Sequence, residues 1–120
     1  MICESCLYHI VGSPEITRAQ LIHLVRPGAP WMLQVMPFME GSHRGTNGPL
    51  MILTFADDGP IAFVDSARGG TLVDDPAQVS ALATYWAAIS ASALSPSMSV
   101  ELISQVIADM PEERDDHWLA

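Results

Sequence analysis

The chain opens with Cys3-x-x-Cys6-x-x-His9, a thiolate–imidazole spacing that suits zinc, with His43 further along as a fourth ligand. A closed zinc site needs four well-placed ligands, and the usual second cysteine pair is absent. The plainer reading, two ordinary N-terminal thiols, is preferred. No cofactor or metal is expected, and Cys3, Cys6 and His9 stand as the metal candidates. A Cys/His nucleophile would need a neighbouring cation or helix N-terminus and a third, orienting group. The sequence supplies no such set, so no catalytic residue is assigned and the chain is not expected to be an enzyme.

The carboxylates Asp57, Asp58, Asp65, Asp74 and Asp75 are the next acid–base candidates. Most fall in turn-like stretches or at a helix start, where Asp is favoured for local hydrogen bonding, so structural use is preferred. Arg68-Gly69-Gly70 is too short to cradle a phosphate, because no GxGxxG or GK[ST] pattern follows. The segment 38–48 has more to offer. It joins Phe38, Glu40, His43 and Arg44 among glycines, and long loops on rigid scaffolds often carry binding function. These four residues and Trp86 are the expected partner- or ligand-binding positions. Trp31 and Trp86 could line a pocket, although core packing is the commoner use of such residues.

The elements that position these residues can be read from punctuation and period. Ser13-Pro14-Glu15 caps and starts a helix that Pro27-Gly28 stops after about residue 26, with Leu21, Leu24 and Val25 inward. Residues 31–36 read as a strand, the glycine-rich 38–48 as a loop, and 50–56 and 61–66 as strands joined by Asp57-Asp58-Gly59-Pro60. Residues 71–73 add a short further strand. Asp75-Pro76 opens a helix with Val79, Leu82, Trp86, Ile89 and Ala93 on one face, and Ser95-Pro96 opens another with Leu102, Ile103, Val106, Ile107 and Met110 inward. The expected fold is α+β: a helix, a three- to four-stranded antiparallel meander, and two C-terminal helices covering one sheet face. One domain over residues 1–110 is expected, followed by an acidic tail, 111–120, expected to be disordered.

Charge narrows the function classes. Fourteen acidic residues oppose five arginines, a net charge of −9 over 120 residues, and the arginines are scattered singly. Nucleic-acid binding needs clustered cations to displace phosphate counterions, so no direct nucleic-acid partner is expected. Anionic membranes are disfavoured for the same reason. No apolar run approaches the ~20 residues that span a bilayer, and no secretion signal is read at the N-terminus, so the cytoplasm is expected.

An ordered set of short motifs carries a family resemblance over about residues 4–108. It comprises Glu4-x-x-Leu7, Val11-Gly12-x-Pro14-Glu15, Gln20-Leu21-x-x-Leu24, Val35-x-Pro37-Phe38, Gly41-x-His43, Gly48-Pro49, Leu53-x-Phe55, Gly69-Gly70, Asp75-Pro76-x-x-Val79 and Ala93-Leu94-Ser95-Pro96 with Ser99. With these the chain resembles the C-terminal domain of unknown function of actinobacterial, antitoxin-like transcription regulators with an XRE-type helix-turn-helix. It departs from that pattern at Leu50 and at Asp65, where an aromatic and Glu are usual, and at Leu82 and Trp86, which replace Tyr and Phe. The helix-turn-helix and the Pro-Gly-Leu-Leu-Gln-Thr-like stretch are not found. The resemblance therefore implies a chain that begins inside the family's C-terminal domain: a truncated gene, a late start codon or a detached half-domain.

The resemblance implies a non-catalytic sensing or partner-binding domain of a helix-turn-helix regulator, here without its DNA-reading part. The implied partner is a protein, such as the small acidic protein often encoded beside these regulators, and a missing half-domain would leave apolar surface that favours a homodimer. The alternatives are a small-molecule sensor with its pocket between the sheet and the Trp86 helix, then a small enzyme or zinc-binding protein.

Overall fold

The computed structural model describes residues 1–38 and 48–111. The chain divides into two compact units, one formed by Met1–Glu40 and Ala93–Ala120, the other by Gly41–Ser92.

The first unit starts with a two-residue strand, β1 (Ile2–Cys3), that runs into a 3-10 turn, Glu4–Leu7. Helix α1 (Pro14–Leu24) follows, with Ser13 as its cap: the Ser13 hydroxyl accepts the Ile16 N–H at 3.3 Å and its carbonyl accepts the Thr17 N–H at 3.0 Å. Strand β2 (Val35–Met36) returns beside β1 in parallel, Ile2 opposite Val35 and Cys3 opposite Met36. Parallel pairing needs a crossover, and the segment containing α1 is that crossover. The last element, α3 (Pro96–Asp109), is capped by Ser95, whose hydroxyl accepts the Met98 N–H at 3.2 Å. Its stripe of Ile103, Val106 and Met110 joins Leu7, Leu21 and Val35 in the core, and α3 packs on α1.

Two buried hydroxyls tie this unit together. Ser99, fully covered, accepts the Val35 N–H at 2.9 Å and donates to the Ser95 carbonyl at 2.8 Å. The Val35 carbonyl accepts the Leu94 N–H at 3.0 Å, so both backbone groups of that core residue are satisfied from around the start of α3. Thr17 accepts the Val11 N–H at 2.9 Å and returns a bond to the Val11 carbonyl at 3.3 Å, holding the chain ahead of α1.

The second unit is an antiparallel meander of β3 (Leu50–Leu53), β4 (Ile61–Val64) and β5 (Thr71–Val73), followed by α2 (Pro76–Ser92). The Asp75 carboxylate accepts the Gln78 N–H at 3.0 Å and starts α2. Helix α2 packs against β4, and Ala62 and Val79 are the buried residues among those described in this unit. Alternation along each strand puts the partners Met51, Phe63 and Leu72 in one row across a single face, opposite to that of Ala62. They are 55%, 40% and 61% exposed. The Phe63 ring lies so close over Gly70 that a Cβ there would fall within it.

The α+β class, the three-stranded meander and the two C-terminal helices are as the sequence implies. The two helices spend their apolar faces differently, α2 on β4 and α3 on α1. The stretch 31–36 is extended as a strand only at Val35–Met36, and it pairs with β1 rather than joining the meander. Ahead of it the Trp31 indole N–H donates to the Leu24 carbonyl at 3.0 Å, which binds that stretch to the end of α1. No helix among the described residues is long and apolar enough to cross a membrane.

Candidate functional site

Cys3 lies half-buried in β1 and Cys6 exposed in the 3-10 turn, both as free thiols, and His9 is exposed two residues beyond that turn. Among the described residues no three His, Cys, Asp or Glu side chains converge to hold a metal ion. Of the loop candidates, Glu40, His43 and Arg44 lie outside the described residues, as does the tail from residue 112. Phe38 is described: its N–H donates to the Glu4 carboxylate at 2.7 Å, and its exposed ring stacks on Tyr8, centroids 5.9 Å apart and planes 20° from parallel. Tyr8 and Phe38 together present an aromatic pair to solvent, 53% and 58% exposed.

The aspartates do local work. Asp75 caps α2, and Asp65 accepts the Ser66 N–H at 2.8 Å, while Asp57 and Asp58 are exposed in the β3–β4 connection. Among the described residues no buried side-chain nitrogen or oxygen lacks a hydrogen-bond partner. Glu15, fully exposed, has its carboxyl held below the ordinary glutamate value by hydrogen bonds from the Ser13 side chain and then from its own backbone N–H. It belongs to the α1 start rather than to a reactive centre.

Two hollows take in tryptophans. One, of about 250 Å³, lies in the second unit between Trp86 and the β3 residues Leu50, Met51 and Ile52. The other, of about 320 Å³, lies in the first unit between the end of α1 and the first turn of α3, lined by Leu24, Trp31, Leu33, Pro96 and Val100 among others. There the Arg26 guanidinium carbon sits 5.0 Å from the Trp31 ring centroid, within cation–π range, and the His23 ring lies 5.3 Å from the same ring, tilted by 46°. The fold-back that makes this cluster is a turn in which the Ala29 N–H reaches the Arg26 carbonyl at 3.3 Å, with Gly28 at φ 75°. Glycine after proline suits such a turn.

The sequence offers Trp31 beside Trp86 as a pocket candidate, but nothing local in it links Trp31 with His23 and Arg26. The signal was present in Pro27-Gly28, which does more than stop a helix: it turns Trp31 back onto it.

A family model described as a domain of unknown function (DUF5753) matches residues 1–105. The chain belongs to the DUF5753 family. Its matched length takes in β1 to β5, α1, α2 and most of α3, and so spans parts of both compact units of this DUF5753 chain. No match was found among curated proteins or among solved structures.

Proposed function

We propose that this DUF5753 chain is a non-catalytic sensing or partner-binding domain of an XRE-type helix-turn-helix transcription regulator, and that it acts by contacting another protein. The exposed row Met51–Phe63–Leu72 carries the reading. Contiguous apolar side chains on an open sheet face mark an interaction surface when polar groups rim them. Here the described part of the same unit holds Asp57, Asp58, Asp65, Asp74 and Asp75 against Arg68 alone. A fitting partner brings an apolar patch to the row and cations to face this acidic unit, even where its total charge is negative. The net charge of −9 opposes a phosphate backbone as partner.

The resemblance to antitoxin-like regulators makes the small acidic protein encoded beside such genes the first partner to test. Calorimetric titration of the two purified proteins is expected to give a stoichiometric complex, and Phe63→Asp to weaken it about tenfold or more, as loss of a central aromatic anchor does. Circular dichroism should be unchanged, since Phe63 is 40% exposed. Equal affinity of both forms, or tight, salt-sensitive binding of duplex DNA by the chain itself, would overturn the proposal. A second copy of the chain is the competing occupant of this face, and sedimentation of the free protein reports it. The hollow at Trp86 favours a second reading, a small-molecule sensor. At about 250 Å³ it falls below the roughly 300–1,000 Å³ of most ligand sites.

A further inference from the structure

We infer that the hollow at Trp31 is a binding site for a small organic anion, a monocarboxylate with an apolar body. The site lies wholly in the first unit and does not depend on the partner-binding reading.

Its volume of about 320 Å³ enters the range of roughly 300–1,000 Å³ typical of ligand sites. Leu24, Leu33, Pro96 and Val100 make the wall apolar, which selects a ligand whose body gains by leaving water. Arg26 supplies the charge. Its guanidinium lies against the Trp31 ring, and among the described residues it has no carboxylate partner. In a chain with fourteen acids and five bases, an arginine held on an aromatic face without an acid beside it has its N–H fork open to an incoming carboxylate.

Helix ends at the hollow act in the same direction. Pro96 and Val100 bring the first turn of α3 to the wall, and a helix N-terminus carries partial positive charge. The end of α1 would oppose an anion, but its carbonyls are largely occupied. The Leu21 carbonyl accepts the Val25 N–H at 3.3 Å, His23 accepts Arg26 at 3.5 Å, and Leu24 accepts the Trp31 indole at 3.0 Å. The indole bond also fixes the ring on which Arg26 rests, so the cation is placed before the ligand arrives and less ordering remains to be done on binding.

The test uses three probes on the full chain: hexanoate, hexanol, which has the same body without charge, and acetate, which has the charge without the body. The indole N–H cross-peak of Trp31 in a nitrogen–proton correlation spectrum, assigned with Trp31→Phe, is the reporter. At low ionic strength hexanoate is expected to shift it saturably, with hexanol and acetate weaker. Arg26→Gln is expected to weaken hexanoate by about three- to tenfold, the scale of one partly exposed charge-assisted contact, and to leave hexanol unchanged. Val100→Glu, at an exposed helix position on the wall, should repel hexanoate without disturbing the fold. An unmoved Trp31 peak, equal affinities for hexanoate and hexanol, or full hexanoate affinity in Arg26→Gln would each overturn the inference. None of these outcomes bears on the Met51–Phe63–Leu72 face, whose own test is the Phe63→Asp titration.

Discussion

Ser99 is small and polar, yet its side chain is an organising contact of the first unit. It accepts the Val35 N–H in a fully covered setting, so Ser99→Ala leaves a buried donor without a partner. Such a loss costs about 1–3 kcal/mol, and urea denaturation of the variant should report a fall of that size. Nothing in the sequence around Ser99 announces this role, because the N–H it serves lies 64 positions away. By contrast, Ser13, Asp75 and Ser95 were legible as caps, since the groups they satisfy lie three residues on. Glu15 provides a pH prediction. Its folded-state carboxyl is held below the ordinary value, so its stabilising contribution is present above the unfolded-state pKa and is lost as pH falls through the lowered folded-state one. Thermal midpoints of the native chain and of Glu15→Gln should therefore differ most near neutrality and converge in acid, the native chain being the more stable. A gap that persists in acid would assign the effect to something other than ionisation.

At the level of elements, the helices were readable because cap, proline and apolar period agree within a few residues. The Asp75 cap can be tested locally. Asp75→Ala removes the acceptor for the Gln78 N–H and should cost about 1 kcal/mol, seen as faster amide exchange in the first turn of α2 while the sheet keeps its protection. The strands were readable only in part. The meander follows from short β-rich runs separated by turn residues. The β1–β2 pair does not, since two-residue strands have no period and their pairing joins residues more than thirty positions apart. The same limit explains why the apolar runs were recognised but their destinations were not. Val106 and Val79 both sit on amphipathic stripes, and only the tertiary structure shows one in the core beside α1 and the other in the unit of the sheet. The candidate site was legible in the same partial way: the sequence offers Trp86 and Trp31 as pocket candidates with core packing the commoner use, whereas Arg26 becomes relevant only once the turn at Gly28 has brought it and Trp31 together.

For the molecule as a whole, charge was the global property most fully readable from composition, and the proposals for both the sheet face and the Trp31 hollow use it: the first through the acidic excess of the unit that bears the face, the second through one open arginine. The connectivity of the two units was not readable. The Val35 carbonyl and the Leu94 N–H, nearly sixty positions apart, share a hydrogen bond of 3.0 Å, and the Gln34 side chain donates to the Leu94 carbonyl at 3.1 Å. In chain order the second unit is thus an insertion between two parts of the first, and Gln34, Val35 and Leu94 join those two parts within the first unit. Replacing residues 41–92 with a short Gly/Ser linker should leave a cooperatively melting remnant that keeps the Val35–Leu94 bond, because shortening a closed loop lowers its entropic cost. A remnant without a melting transition would show that the first unit does not fold without the inserted segment. The order of synthesis gives these bonds a further meaning: Val35 waits on the ribosome for Leu94 and Ser99, so every strand of the meander is made before the core of the first unit can close.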